Sequence, residues 1–88
     1  MESVLTPSQS KAARAMLGLS RATLAVEARV DFLSLGRFET GRITSPEIIA
    51  ALQAALEARG AVFRTYDGIA WVGVRTEAQT VAFSLSVE

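Results

Sequence analysis

The chain has 88 residues, half of them hydrophobic, so it is long enough for one small domain with its own core and too short for two. It contains no cysteine and no histidine, which excludes disulfides and thiolate chemistry and removes the commonest metal ligand, so we expect neither a metal nor a cofactor. Nine basic and nine acidic residues give a formal net charge of zero, and the overall charge therefore gives no sign of nucleic-acid binding.

The first predicted helix carries its own start and stop signals. Thr6 is a candidate N-cap, Pro7 has the φ angle of a first helical residue, and Gln9 completes a capping box. Gly18 is a natural C-terminal stop. The pattern predicts a helix from Pro7 to about Gly18.

Two short helices are predicted next, separated by a turn of three or four residues. Ser20 is the N-cap of the second helix, RATLAVEA, and Asp31 is the N-cap of the third, VDFLSLGRFETG. Two short helices with this spacing are typical of a helix-turn-helix motif, although any helical corner has a similar pattern.

The packing that a helix-turn-helix requires is also present. The two helices need a small residue where they cross, and Ala25 supplies it. The third helix must bury two positions three apart, which are Leu35 and Phe38, and the turn must carry an inward apolar residue, which is Val30. These positions predict that the third helix packs against the second through one face.

The last third of the chain changes from helical to β patterning. A fourth helix is predicted from Pro46 to Gly60, with Ser45 or Thr44 as its N-cap. The segments AVFRTY and IAWVGVR flank Asp67-Gly68, a strong hairpin signal, and TVAFSLSV alternates like a third strand. We therefore expect an α+β fold in one compact domain: a four-helix helix-turn-helix region over residues 1–60 and a three-stranded antiparallel sheet over residues 61–88.

The run LSRATLAVEARVDFLSLGRFETGR resembles the Xre family, the phage-repressor-like helix-turn-helix regulators of bacteria and phages. The matching positions are Leu19, Ser20, Leu24, Ala25, Ala28, Val30, Leu35, Phe38, Glu39 and Gly41. The preceding LTPSQSKAARAMLG resembles the first helix of that family, so the resemblance covers residues 5–59 but not the β tail. It implies DNA binding by the third helix, over residues 31–41, in the major groove.

The resemblance also implies a structural ion pair and shows one departure from the family. In relatives an arginine of the first helix bonds the glutamate of the Phe-Glu-x-Gly end, and those positions are Arg14 and Glu39 here. At the turn position where the family usually has glycine, this chain has Arg29. A left-handed backbone at a residue other than glycine costs on the order of 1 kcal/mol. Either the turn is built differently, or Arg29 is kept for phosphate contact, or it is a solvated turn residue.

Helical geometry predicts which side chains of the third helix face outward. With about 100° per residue, Leu33, Gly36, Arg37 and Thr40 lie opposite the face of Leu35 and Phe38, and Phe32 lies on the flank. Relatives place their base-reading residues at the positions of Phe32, Leu33 and Arg37. Apolar side chains meet thymine methyl groups in the major groove and arginine pairs with guanine, so these three are the predicted base-reading residues.

Contacts with the DNA backbone are expected around this helix. In the family the N-terminus of the second helix points at the phosphates, and the segment after the third helix touches the other strand. The predicted backbone contacts are Ser20, Arg21, Ser34, Thr40, Arg42 and Thr44.

The β tail is predicted to make a homodimer, because repressors of this class bind two half-sites and need a two-fold axis. Its large apolar residues are the expected dimer contacts: Trp71, Val81, Phe83 and Leu85. Strand swapping, a structural lid over the core and a wing in the minor groove remain alternatives for the same segment.

The function expected from the sequence is a dimeric transcription regulator, most simply a repressor, that binds double-stranded DNA at a palindromic operator. The alternative is a protein-binding adaptor or antitoxin-like module on the same scaffold, which the apolar Phe32-Leu33 pair favours. An enzyme is not expected, since no catalytic constellation is visible. No apolar run approaches the roughly 20 residues of a membrane span and no signal-peptide pattern is visible, so we expect a cytoplasmic protein with no membrane partner.

Overall fold

The computed structural model describes residues 5–75 as four helices followed by a two-stranded antiparallel sheet. The elements are α1 (Pro7–Leu17), α2 (Arg21–Ala28), α3 (Phe32–Glu39), α4 (Pro46–Ala58), β1 (Ala61–Tyr66) and β2 (Ile69–Val74). The α+β class is confirmed, and three residues separate α2 from α3 as a helix-turn-helix requires.

Each helix begins at an N-cap whose side chain accepts a hydrogen bond from the backbone N–H three residues later. The N-caps are Thr6, Ser20, Asp31 and Ser45. All four were predicted, and Ser45 rather than Thr44 caps α4. Because a cap satisfies N–H groups that have no partner inside the helix, these local bonds set where each helix starts.

The first three helices all end in a left-handed residue. That residue is Gly18 after α1, Arg29 after α2 and Gly41 after α3, with φ angles of 69°, 58° and 87°. At the end of α2, the Val30 N–H donates to the Ala25 carbonyl at 2.9 Å, the long bond of a Schellman cap. The turn is therefore built as it would be with glycine, and Arg29 holds the strained conformation.

Arg29→Gly is expected to raise the free energy of unfolding by roughly 0.5–1 kcal/mol. The left-handed region costs a side-chain-bearing residue about 1–2 kcal/mol, and the greater freedom of glycine in the unfolded chain offsets part of that gain. Urea denaturation measures the change. Arg29→Ala, which removes the guanidinium but keeps the strain, is the control. A gain of equal size in both variants would show that the arginine's charge, and not its backbone, is the source of the cost.

One hydrophobic core joins the helices to the hairpin. Leu35 and Phe38 of α3 are buried in the same cluster as Leu24 and Ala25 of α2, the two helices are in contact, and Val30 is partly buried against that cluster. The other buried members are Leu5, Ala13, Leu19, Leu52, Leu56, Ala61 and Phe63. Because α3 buries the Leu35–Phe38 side, its opposite side faces away from the core.

The predicted three-stranded sheet is wrong: within residues 5–75 the sheet has two strands, β1 and β2. They are joined by Asp67 and Gly68, whose φ angles of 56° and 73° match a type I′ hairpin turn. The predicted strand TVAFSLSV lies outside the described residues. A third strand is not needed to support the hairpin, because α1 packs against β2 and α4 packs against β1.

Gln9 ties the hairpin to α1. Its side-chain oxygen accepts the Thr6 N–H at 3.0 Å as part of the capping box, and its amide nitrogen donates to the Trp71 carbonyl at 2.7 Å. Its side chain is therefore buried with both polar ends bonded. The capping box was predicted, but the bond to β2 joins residues 62 positions apart and has no local signal.

Candidate nucleic-acid interface

A buried carboxylate ends α3. Glu39 is 1% exposed, and Arg14 holds it in a bidentate pair, with Nη2 2.7 Å from Oε1 and Nε 3.0 Å from Oε2. The Ser10 hydroxyl also donates to Oε2. The pair that the family resemblance implied thus joins α1 to α3 next to the outward face of α3.

Arg21 is a third residue bound to Glu39. Its Nε donates to Oε1 at 3.1 Å, so the first residue of α2 is also anchored on this carboxylate. Its Nη1 lies 3.7 Å from where a Cβ would stand on Gly36, which places the guanidinium across the middle of α3. The sequence predicted Arg21 as a phosphate contact and gave no intramolecular partner for it, whereas the structure shows it bonded to Glu39 with its side chain still 35% exposed.

Sequence reasoning missed Ser10 and Arg21 as partners of Glu39. Ser10 precedes Arg14 by four residues, so the two share one face of α1, and this spacing was a usable signal. No spacing points from Arg21 to Glu39, because only the packing of α2 against α3 brings them together.

The pKa of Glu39 reflects two opposing effects. Burial by itself raises the pKa of the carboxyl, because it disfavours the charged form. The hydrogen bonds from Arg14, Ser10 and Arg21 outweigh burial, and the pKa lies below its ordinary value. Glu39 is therefore ionised at neutral pH and offsets part of the positive charge of the two arginines.

This lowered pKa predicts how stability depends on pH. Because the folded state holds the ionised form, Glu39 contributes stability that is complete above the ordinary pKa of 4.5 and is lost as the pH falls through the lower, folded value. The difference in urea midpoint between the wild type and Glu39→Gln is expected to be constant near neutral pH and to shrink below about pH 4.5. A difference that stays constant down to about pH 3 would contradict this role for the carboxylate.

The outward face of α3 opens onto a shallow hollow of about 280 Å³. The hollow is lined by Arg21, Phe32, Leu33, Gly36, Arg37, Thr40 and Arg42. Phe32 is 52% exposed and Leu33 is 65% exposed. All three predicted base-reading residues and three of the six predicted backbone contacts, Arg21, Thr40 and Arg42, therefore line one surface.

The hollow carries unbalanced positive charge. Within residues 5–75, neither Arg37 nor Arg42 has a carboxylate at ion-pair distance, and Arg21 shares its carboxylate with Arg14. The Thr40 hydroxyl donates to the carbonyls of Gly36 and Arg37, so it is bonded to its own helix. Three guanidinium groups beside two exposed apolar side chains suit a ligand that is anionic at its edge and partly apolar at its centre.

The remaining predicted site residues lie elsewhere. Ser20 and Ser34 are outside the lining of the hollow, and Thr44 lines a separate groove of about 410 Å³ that also contains Leu5 and the fully exposed Ile43. Trp71 is 54% exposed on the hairpin. The other predicted dimer contacts, Val81, Phe83 and Leu85, fall outside the described residues.

A second ion pair has no role at this surface. Arg59 donates to both carboxylate oxygens of Glu27 and links the end of α4 to α2 on the exposed surface. In the described part of the chain, no cluster of three acidic, histidine or cysteine residues forms a metal site. None of the helices between residues 5 and 75 is long and apolar enough to span a membrane.

Comparison with protein-family models gives no match, and comparison with curated proteins finds no relative. The functional conclusion therefore rests on the geometry of α3 and of the residues around it.

Proposed function

We propose that this protein is a sequence-specific DNA-binding transcription regulator that inserts α3 into the major groove. The observation that carries the proposal is the hollow on α3, where exposed Leu33, Phe32 and Arg37 stand beside Arg21 and Arg42. The major groove is wide enough to admit a helix, and this face is the part of α3 that the core leaves free.

Each group on the face has a counterpart in duplex DNA. Arg37 pairs bidentately with guanine O6 and N7, while Leu33 and Phe32 contact thymine methyl groups. Arg42 and the tethered Arg21 bind backbone phosphates on either side of the groove. Because Glu39 fixes Arg21 in advance, little side-chain entropy is lost when its free N–H groups meet a phosphate.

The regulator acts as a homodimer, most simply a cytoplasmic repressor. A chain of zero net charge with three arginines at its interface makes few phosphate contacts, so a single copy binds weakly. Two copies on half-sites about 34–36 Å apart supply the missing affinity and make the operator a palindrome.

A protein-binding adaptor is the second candidate, favoured by the exposed Phe32 and Leu33. Exposed apolar pairs of this kind also serve as protein contacts. The adaptor does not account for the three arginines around the same pair, two of which, Arg37 and Arg42, have no carboxylate at ion-pair distance within residues 5–75, and it ranks second for that reason.

Selection from a random duplex library tests the proposal. The purified full chain is expected to enrich a palindrome at low salt, with thymines and guanine in each half-site, and its affinity is expected to fall steeply as salt rises. Binding without any enriched sequence, or no binding by a confirmed dimer, would remove the regulator interpretation. Enrichment of peptides and not of DNA in a parallel display experiment would establish the adaptor.

Gly36→Ala is expected to raise stability and lower DNA affinity together. Alanine in a helix is favoured over glycine by roughly 0.5–1 kcal/mol, and its Cβ would meet Arg21 only at an ordinary contact distance of 3.7 Å. The same methyl group occupies the outward face, where the DNA must approach closely. Thermal unfolding and duplex titration measure the two effects. The control is Ala54→Gly on α4, which is expected to lower stability and leave DNA affinity unchanged. If DNA affinity instead follows stability, rising in Gly36→Ala and falling in Ala54→Gly, the close approach of DNA to Gly36 is contradicted.

A further inference from the structure

We propose that the outer face of the β1–β2 hairpin is the surface on which a second copy of this chain docks. The inference deepens the proposed function, and it rests on it only for the expectation that two copies act together. The outer face consists of Val62, Arg64 and Tyr66 on β1 and of Ile69, Trp71 and Gly73 on β2.

Strand alternation separates this face from the core. Phe63 is buried and pairs with Val72, which packs against the core, so these residues mark the inner face. Tyr66, Ile69 and Trp71 alternate with them and are 75%, 52% and 54% exposed. Two aromatic rings and an isoleucine thus form one continuous apolar patch that α1 and α4 do not cover.

The register makes this face complementary to itself. Arg64 pairs with Trp71 across the hairpin, and Tyr66 pairs with Ile69. If two hairpins stack about a two-fold axis parallel to their strands, β1 of each lies over β2 of the other at the same level. Each Arg64 guanidinium then lies over the partner's Trp71 ring, and each Tyr66 ring lies over the partner's Ile69.

Charge favours a second copy over a nucleic acid at this face. Single-strand binders surround their stacking aromatics with a positively charged groove. The six residues of this face include one cation, Arg64; Arg75 follows β2 and lines a groove beside Arg64 that also contains Glu57, and the hairpin tip carries Asp67. Arg64 can be paired by a cation–π contact with the tryptophan ring of a second copy. The phosphates of a nucleic acid on the same face would be repelled by Asp67 at the hairpin tip.

The size of the face implies a weak dimer. Six residues at about 3.3 Å each on two strands about 4.8 Å apart present a few hundred Å², well under the roughly 800 Å² per partner of a standard interface. The dimer is therefore weak in the free protein and is completed when both copies bind adjacent half-sites.

Sedimentation equilibrium of the full chain, together with the emission of its single tryptophan, tests this surface. The wild type is expected to dimerise reversibly with a blue shift of Trp71, and both Arg64→Glu and Ile69→Thr are expected to weaken the dimer at least about tenfold. Val26→Thr, which makes the same kind of change at an even more exposed aliphatic residue on α2, is the matched control. Far-ultraviolet circular dichroism confirms that each variant is folded.

Three outcomes would overturn the proposal: a wild type that stays monomeric near millimolar concentration, a dimer that both hairpin variants leave intact, or Trp71 emission that responds to single-stranded oligonucleotide and not to protein concentration. A duplex with one half-site separates this result from the proposed function. The hairpin variants are expected to bind one half-site like the wild type and to lose only cooperativity on the palindrome. If the hairpin variants lose the dimer but the wild type binds no DNA, the proposed regulator function is contradicted and the proposed docking surface is still supported.

Discussion

Replacing Glu39 by glutamine is expected to lower the free energy of unfolding by about 3 kcal/mol. Removing one partner of a buried ion pair typically costs 3–5 kcal/mol, because the other charge is left without compensation. Arg14 and Arg21 keep 17% and 35% side-chain exposure, so water screens part of the loss and places it at the lower end. For a small domain stabilised by roughly 5–10 kcal/mol this is a large fraction of the total, and urea denaturation measures it.

The matched control is Glu27→Gln, which breaks the exposed pair with Arg59 and is expected to change the urea midpoint little. A double variant, Arg14→Met with Glu39→Met, removes the more buried ion pair and leaves only the partly exposed Arg21 without its carboxylate, so it is expected to be more stable than Glu39→Gln. Equal effects of Glu39→Gln and Glu27→Gln would show that the buried network does not stabilise the helix-turn-helix.

Arg37→Ala is expected to reduce affinity for the selected operator roughly 5- to 150-fold, the equivalent of about 1–3 kcal/mol, and to relax preference at one guanine. The reason is that Arg37 is the exposed arginine on the outward face of α3 itself, whereas Arg21 and Arg42 lie at its sides. Titration of the operator and of duplexes substituted at the guanine measures both effects. The fold is expected to be unchanged, since Arg37 is exposed and has no ion pair within residues 5–75.

Two further variants separate base contact from charge. Arg37→Lys keeps the charge but loses the planar fork, so it is expected to recover salt-dependent binding without the guanine preference. Arg42→Ala is expected to weaken all duplexes alike and to reduce the slope of affinity against salt. An Arg37→Ala protein that selects the same operator with wild-type affinity would rule out α3 as the reading helix.

The sequence by itself determined where the helices begin and which face of α3 is buried. Each N-cap side chain accepts a hydrogen bond from an N–H group only three residues away, so its signal is local in the sequence. These caps are Thr6, Ser20, Asp31 and Ser45. The hairpin turn at Asp67 was equally local. The outward position of Leu33 and Arg37 followed from helix geometry once Leu35 and Phe38 were recognised as core.

Only the tertiary structure showed the contacts between residues that are far apart in the sequence. Arg21 meets Glu39 because α2 packs against α3, and this bond holds in place a side chain that the sequence predicted only as a phosphate contact. Gln9 reaches Trp71 across 62 positions and fastens a two-stranded hairpin where the alternation of TVAFSLSV had suggested three strands. Caps and turns act over a few bonds and leave a signature in neighbouring residues, whereas these contacts form only when the core brings distant elements together.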